Sequence, residues 1–149
     1  MIYRLDLVSS DLDWMEMHEI RREVLFDGFV DGFAYNEGHP DDRLTGNFPF
    51  LMRYYGQPIG VARLDIKKQI GIVRLVAIAK VYQHKGHGKV LEALIEEKAR
   101  DKGLRQLRIN AEGQAIGFYH RLGWTFCDWD PTELVGISAG CRQMVKPLL

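Results

Sequence analysis

Residues 70–90, which read IGIVRLVAIAKVYQHKGHGKV, decide the fold of this chain. The first ten are rich in branched apolar side chains, which is typical of a strand in the middle of a sheet. Behind them stand Lys85, Gly86, Gly88 and Lys89, and an apolar pattern of helical period follows. The stretch therefore predicts a central strand, a glycine-bearing turn and the N-terminus of a helix, in that order.

The turn at residues 83–89 predicts an anion-binding site. Its glycines leave backbone N–H groups uncovered, and these donors together with the positive end of the helix dipole favour a phosphate group. Glycine is also an ordinary turn residue, so the turn can equally be a connection without a ligand. A Walker P-loop is excluded by spacing, because Gln83 stands where its first glycine belongs and Val90 where its Ser or Thr belongs. A dinucleotide-binding GxGxxG turn is excluded because Leu91 replaces the third glycine.

On either side of this stretch the patterns predict an α/β fold that forms a single domain over residues 1–149. Apolar runs predict strands at residues 2–8, 48–55, 59–66, 70–79, 104–110, 124–129 and 142–148. Helical spacing and end signals predict helices over residues 10–25, from the turn to residue 102, and over 112–122. The order predicts an antiparallel three-strand meander with a hairpin turn at 56–58, then a right-handed parallel crossover from 70 to 110.

Two segments carry further expectations. Residues 27–47 mix glycines with aromatic residues without a period and exceed the ~12–15 residues of an ordinary loop, which is typical of a functional lid. The helix behind the turn is expected to expose an i,i+4 ion pair between Glu96 and Arg100. Its inward face is expected to consist of Val90, Leu91, Leu94, Ile95 and Ala99.

Composition excludes two broad classes of protein. The 149 residues are 46% hydrophobic and carry 20 Lys and Arg against 20 Asp and Glu, which excludes intrinsic disorder and a globally electrostatic grip on nucleic acid. No apolar run approaches the ~18 residues of a membrane span and the first residues show no leader pattern, so we expect a soluble, cytoplasmic protein without membrane contact. The two cysteines, Cys127 and Cys141, lack CxxC spacing and fit a reducing compartment.

Residues 72–126 resemble the core motif of the GNAT superfamily, the acetyl-CoA-dependent N-acyltransferases. The matching features are the strand at 72–78, a Q/R-x-x-G-x-G/A turn at 83–88, the helix behind it, and AIGFYHRLGW at 115–124, which is similar to the family's A-x-x-x-Y-x-x-x-G-F. The resemblance implies a mixed, mostly antiparallel twisted sheet flanked by helices, with a central pair of parallel strands splayed to admit acyl-CoA. It also implies acetyl-CoA as co-substrate.

The resemblance assigns roles to residues of this chain. It implies that the turn's amides hold the pyrophosphate of acetyl-CoA and that the end of the central strand pairs with the pantetheine arm, where an amide can stabilise the oxyanion of a tetrahedral intermediate. Tyr119 matches the family tyrosine that protonates the leaving thiolate, although it can also be a plain core tyrosine. Many members carry Asn where this chain has Glu112. Asn110, which ends its strand, can hold cofactor or water or simply end the strand. The cofactor-binding residues expected are Val76, Ala77, Ile78, Gln83, His84, Lys85, Gly86, His87, Gly88, Lys89 and Asn110.

The general base has no obvious position, because the central strand contains no carboxylate. Glu37 and His39, in the glycine-rich stretch, are the first catalytic candidates and Asp65 is another, although each can also be a solvated surface group. No metal is expected, because His84 and His87 lack a third ligand at suitable spacing. No Ser or Cys shows a nucleophile motif, which favours direct transfer to an amine.

These observations predict an N-acetyltransferase that moves the acetyl group of acetyl-CoA to a primary amine of a small molecule or to a protein amino group. Residues 1–50 hold 11 acidic and 4 basic side chains, which favours a cationic acceptor. The missing carboxylate keeps open a non-catalytic acyl-CoA-sensing or protein-interaction module on the same fold. A nucleic-acid partner is not expected, since even residues 80–108 hold only 8 basic side chains against 4 acidic ones. A homodimer through the last hairpin is a further expectation.

Overall fold

A mixed sheet of seven strands organises the residues that this computed structural model describes, 2–26 and 35–148. The strands are β1 (Tyr3–Leu7), β2 (Asn47–Tyr54), β3 (Gln57–Lys67), β4 (Ile70–Ile78), β5 (Gln106–Ala111), β6 (Thr125–Phe126) and β7 (Arg142–Pro147). The α-helices are α1 (Asp11–Arg21), α2 (His87–Asp101) and α3 (Ile116–Arg121). None of the helices in this part of the chain has the length and apolar composition that crossing a membrane requires.

The order across the sheet is β1-β2-β3-β4-β5-β7-β6. β4 and β5 are parallel, and every other neighbouring pair is antiparallel. α2 lies between the two parallel strands in the chain, as a crossover connection requires. The predicted α/β class, a mostly antiparallel sheet around one parallel pair, is confirmed. The homodimer through the last hairpin stays a prediction.

Apolar side chains of the strands alternate between the two faces of the sheet. On one face Leu51, Val61 and Ala77 pack with Met17 and Ile20 of α1. The other face holds residues next to these in the chain together with the inner side of α2: Phe50, Met52, Ala62, Leu64, Leu91, Ile95 and Ala99. Since β4 contacts both α1 and α2, its carboxyl end lies between the two helices.

α1 begins at a capping box. The Ser10 hydroxyl accepts a hydrogen bond from the Asp13 N–H at 3.0 Å, and the Asp13 carboxylate accepts one from the Ser10 N–H at 3.2 Å. The prediction that a helix runs to about residue 25 is confirmed, although its α-helical part ends at Arg21. The chain continues as a π-helical turn, Arg22–Phe26, a rare form that often lies at functional sites.

Two predicted boundaries are wrong. The first hairpin turn consists of Tyr55 and Gly56, both with positive φ, because a two-residue turn of this kind matches the twist of the strands. The strand expected at 124–129 is only Thr125–Phe126. Past Phe126 the Cys127 N–H still donates to the Gln143 carbonyl of β7, and the Gln143 side chain, rather than the strand ladder, then holds the main chain of Asp130.

The expected burial pattern of α2 is also wrong at its acidic positions. Glu92 and Glu96 are buried, whereas Val90 and Leu94 are only half-buried. The predicted i,i+4 pair of Glu96 with Arg100 is present at 3.4 Å, but the Glu96 carboxylate is buried and also accepts a hydrogen bond from Lys146 of β7 at 2.8 Å. The inner side of α2 therefore brings carboxyl groups into the protein.

Candidate functional site

β4 and β5 separate halfway along their length. Their parallel pairing ends at Val73 and Ile109, although β4 continues to Ile78. Beyond Val73 a bulge bends β4: Leu75 and Val76 stand opposite a single residue of β3, and Leu75 has a left-handed φ of 54°. The predicted splay of the central parallel pair is confirmed, and it leaves the end of β4 without a strand partner on the β5 side.

Two cavities meet at this opening. The turn cavity, of about 670 Å³, includes in its wall Gln83, His84, Gly86, Gly88 and Lys89. The arginine cavity, of about 490 Å³, includes in its wall Arg21, Arg63 and Arg74. Both walls contain Val73, Val76, Glu112, Ala115 and Tyr119. A molecule in one cavity would therefore meet a molecule in the other at these side chains.

The turn presents the N-terminus of α2 to the turn cavity. Gly86 is the N-cap with a φ of 87°, and a Cβ at this position would meet open space, so the backbone here is uncovered. Among the residues that the structure describes, no side chain caps the helix, which leaves its first N–H groups available to an anion. The Gln83 side chain donates a hydrogen bond to the Ile78 carbonyl at 2.9 Å and so ties the turn to the end of β4. Val76, Ala77 and Ile78 also line this cavity.

Two residues of the turn have side chains outside the cavity wall. The His87 ring is buried, with its Nδ1 2.8 Å from the Tyr3 hydroxyl, and it packs against Tyr54. His87 can therefore offer an anion only its backbone N–H. The Lys85 side chain is exposed. His84 and His87 join no metal cluster, since within residues 2–26 and 35–148 no three His, Cys, Asp or Glu side chains come together as possible ligands.

Tyr119, on α3, lies where the two cavities meet. It is only 6% exposed, and its ring packs edge-on against Phe118 and Trp124. Burial raises the pKa of the Tyr119 hydroxyl, and the negative charge of an ionised Glu92 would raise it further. The hydroxyl therefore keeps its proton at neutral pH and can donate it to an anion that forms beside it.

Glu92 is a feature of the turn cavity that the sequence analysis missed. It is 5% exposed, and burial, followed by the neighbouring Glu96, raises the pKa of its carboxyl to about 9. Glu92 is therefore uncharged at neutral pH, where burial alone acts on Tyr119. Its position three residues before Ile95 could have indicated its burial, because residues three apart lie on the same face of a helix.

The three candidate bases lie in different surroundings. Glu37 is exposed, pairs with Arg22 at 2.6 Å and lies outside both cavity walls. Asp65 is buried, and two guanidinium groups donate to its oxygens at distances of 2.7 and 2.8 Å. His39 lies in the wall of the arginine cavity, and its Nδ1 accepts a hydrogen bond from the Asp41 N–H at 3.2 Å. Of the three, His39 alone lines a cavity.

The predicted lid at residues 27–47 is described only in part. Residues 27–34 lie outside the described part of the chain. Five residues of the remainder line the arginine cavity: Tyr35, Asn36, His39, Asp41 and Asp42. This part of the stretch therefore forms one side of the cavity.

A series of buried and half-buried ion pairs lies along the arginine cavity, and the sequence analysis missed it. With N–O distances of 2.7 to 3.1 Å, it runs in order through Arg21, Asp42, Arg63, Asp65, Arg74 and Glu133. Burial raises the pKa of the Asp42 and Glu133 carboxyl groups, but the arginines bound to them lower it more, so both stay ionised. The sequence does contain one indication of these ion pairs, because Arg63 and Asp65 place two opposite charges inside a mostly apolar strand.

Asn110 extends this series of ion pairs through Glu133 and does not reach the turn cavity. It lines the arginine cavity, where its Nδ2 donates to Glu133 at 3.1 Å and its Oδ1 accepts from Gln143 at 2.9 Å. Both ends of its amide are therefore engaged within the protein. The loop between β6 and β7, to which the sequence analysis assigned no role, adds Ile137, Ser138 and Cys141 to the same wall.

Comparison with known families gives a match over most of the chain. Residues 29–140 match the family model described as "Acetyltransferase (GNAT) domain". This range includes β4, the turn, α2 and α3, and so contains the shared wall of the two cavities.

Individual proteins agree with this match. A Bacillus subtilis protein named provisionally as an acetyltransferase is 28% identical over 119 residues, which are 78% of this chain and 80% of the relative. The crystal structure of a Lactobacillus plantarum protein, provisionally an N-acetyltransferase, has a TM-score of 0.79 at 19% identity over 100% of both chains. The PaiA N-acetyltransferase of Thermoplasma acidophilum, solved with coenzyme A, has a TM-score of 0.72 at 18% identity over 99% of both chains. The two structural likenesses show a shared fold.

Proposed function

Because this chain belongs to the GNAT acetyltransferase domain family, we propose that it transfers an acetyl group from acetyl-CoA to the amine of a second substrate. The observation that carries the proposal is the position of Tyr119 in the wall that the turn cavity and the arginine cavity share. A donor in the first cavity and an acceptor in the second would react beside a side chain that holds a proton.

The turn cavity suits the parts of acetyl-CoA that need binding. The uncovered amides at the N-terminus of α2 suit the pyrophosphate, and the end of β4 from Val76 to Ile78, which is unpaired on the β5 side, suits the extended pantetheine arm. When bound, acetyl-CoA supplies the thioester. The Thermoplasma acidophilum neighbour, which has the same fold, was solved with coenzyme A, and this supports acetyl-CoA as the donor.

The chain's own groups then move two protons. The attacking amine must be neutral and loses a proton afterwards, and we assign its acceptance to His39, directly or through water, because His39 lines the arginine cavity. The proton goes to Nδ1, which carries none while it accepts from the Asp41 N–H, and that hydrogen bond is given up when the proton arrives. Glu37 has no such position. Tyr119 protonates the departing thiolate, which requires the sulfur to lie against the hydroxyl because the pKa of a phenol exceeds that of a thiol. A main-chain N–H near Val76 stabilises the negative charge that develops on the carbonyl oxygen.

The experiment is a calorimetric titration of the protein with acetyl-CoA and with desulfo-CoA. Gly86→Asp places a carboxylate at the turn and should abolish binding by repelling the pyrophosphate. Gly86→Ala is the matched control, because it imposes the same backbone strain at a φ of 87° without a charge, and its Cβ would meet open space.

Turnover is then measured as thiol release with a panel of amines. Micromolar binding that Gly86→Asp alone abolishes, followed by amine-dependent thiol release, supports the transferase. Binding without turnover of any amine would favour an acyl-CoA-sensing module. Absence of binding at millimolar acetyl-CoA would refute the proposal.

A further inference from the structure

One arginine in the wall of the arginine cavity, Arg21, has hydrogen-bond donors that no described acceptor binds. Arg21 is 1% exposed, and its Nη1 donates to Asp42 at 2.8 Å and, more weakly, to the Tyr35 hydroxyl at 3.3 Å. Its Nε and Nη2 are buried and have no hydrogen-bond partner in the described part of the chain. These two nitrogens lie side by side and form the edge of a guanidinium that binds both oxygens of a carboxylate. One complete bidentate edge is therefore empty.

The other guanidinium groups around the cavity have no such edge. Arg63 donates through Nε and Nη2 to Asp65 and through Nη1 to Asp42. Arg74 donates through Nε to Asp65 and through both Nη atoms to Glu133. Of these three arginines, Arg21 alone has two neighbouring nitrogens without a hydrogen-bond partner in the described residues.

The carboxylates beside these arginines are engaged. Asp42 accepts from Arg21 with one oxygen and from Arg63 with the other. Both oxygens of Asp65 likewise accept from guanidinium groups. An ammonium group there would have to compete with bound arginines for these oxygens, whereas an anion would find donors without an acceptor.

We infer that the acceptor carries a carboxylate as well as its amine, and that Arg21 binds this carboxylate through Nε and Nη2. The inference rests on the proposed function. The amine would then lie toward Tyr119 and Val76, at the junction of the cavities, and a volume of about 490 Å³ accommodates a molecule the size of an amino acid. Both nitrogens are buried, so the carboxylate has to part the cavity wall to reach them.

This acceptor differs from the cationic one that the acidic composition of residues 1–50 favours. Several of those acids are neutralised within the protein and offer no free charge to a ligand. Asp13 and Glu16 bind Arg53 at 2.9 and 2.8 Å, and Asp42 binds two arginines. Net charge counted along the chain therefore does not describe the charge that the cavity presents.

The test compares amines that differ only by a carboxylate, at saturating acetyl-CoA. The pairs are leucine and isoamylamine, phenylalanine and phenethylamine, lysine and cadaverine, with spermidine as a polycation. The dipeptide alanyl-leucine distinguishes a peptide carboxylate from that of a free amino acid. We expect kcat/KM to favour the carboxylate-bearing member of a pair by about 10- to 100-fold, as for one charge-assisted bidentate contact. Equal rates within every pair, or a preference for spermidine, would overturn the inference.

Variants locate the effect. Arg21→Lys keeps a cation beside Asp42 but has no bidentate edge, so it should lower kcat/KM much more for the carboxylate-bearing member than for its decarboxylated partner. Arg53→Lys is the matched control, because Arg53 also pairs with two carboxylates but lies outside both cavity walls. An undiminished preference in Arg21→Lys would overturn the assignment to Arg21.

Binding to the wild-type chain separates this inference from the proposed function. Thermal unfolding is measured with coenzyme A and each probe at millimolar concentration. Stabilisation by the carboxylate-bearing probes alone, without turnover of any amine, would support the carboxylate site and contradict the transferase. Turnover at equal rates with and without a carboxylate on the amine would support the transferase and contradict the carboxylate site. If the probes neither stabilise the chain nor are turned over, both the inference and the proposed function are refuted.

Discussion

Glu92 should make the folded chain less stable as the pH rises, and Glu92→Gln should remove that dependence. Burial raises the pKa of this carboxyl from its ordinary 4.5 to about 9, with Glu96 as the next cause. Between these two values the folded chain holds a proton that the unfolded chain has lost, so the free energy of unfolding falls with rising pH. The pKa of Glu96 is lowered, because Glu92 and Lys146 favour its ionised form more than burial opposes it, so its own contribution changes only at acid pH.

The magnitude follows from the number of protons. One proton difference changes the free energy of unfolding by about 1.4 kcal/mol per pH unit. From about pH 6 to about pH 8 the wild type should therefore lose about 3 kcal/mol relative to Glu92→Gln, or as little as about 1 kcal/mol if water reaches the carboxyl when it ionises. Glutamine keeps the shape of the side chain, and its amide carries N–H donors where the protonated carboxyl carries an O–H donor.

The assay is urea unfolding of both chains at several pH values across this range. At each pH the free energy of unfolding of Glu92→Gln is compared with that of the wild type. Titrating groups that the two chains share contribute equally to both values and cancel in the difference. Glu97→Gln, an exposed position on the same helix, is the control and should follow the wild type. If the curves of Glu92→Gln and the wild type stay parallel across the range, Glu92 is ionised in the folded chain and the reasoning is refuted.

Three other substitutions test separate parts of the structure. Tyr119→Phe should lower turnover by ~10²–10⁴ while calorimetry finds acetyl-CoA affinity nearly intact, and full turnover would leave Tyr119 a core residue only. Asp65→Asn should lower the free energy of urea unfolding by about 3 kcal/mol, because the buried Arg63 and the half-buried Arg74 lose the negative charge that they share; Asp6→Asn, in an exposed pair, should cost less than about 1 kcal/mol, and equal losses would contradict this account. Ser10→Ala should cost about 1 kcal/mol in the same measurement by removing the cap of α1, and coincident unfolding curves would show that the cap contributes nothing.

Local patterns in the sequence account for the order of the elements and the parallel crossover. Apolar period, glycine and helix-end residues act over a few positions, so β4, the turn at 83–89 and α2 could be predicted with their connection. The ends of strands and helices could not be predicted as well where residues far apart in the sequence contact each other. Beyond the strand at Thr125–Phe126, the main chain of Asp130 is bound by the side chain of Gln143, which lies on another strand.

The sequence alone therefore determined the fold class, the splayed central pair and the position of the turn, since these depend on short-range geometry and on the resemblance of residues 72–126 to one family. The tertiary structure decided which polar side chains share a cavity. Arg21, Asp42, Arg63 and Glu133 come from four separate segments of the chain, and nothing in their spacing indicates that they meet. The empty edge of Arg21 and the raised pKa of Glu92 exist only because packing removes those groups from water, a property of the folded chain that no count of residues along it contains.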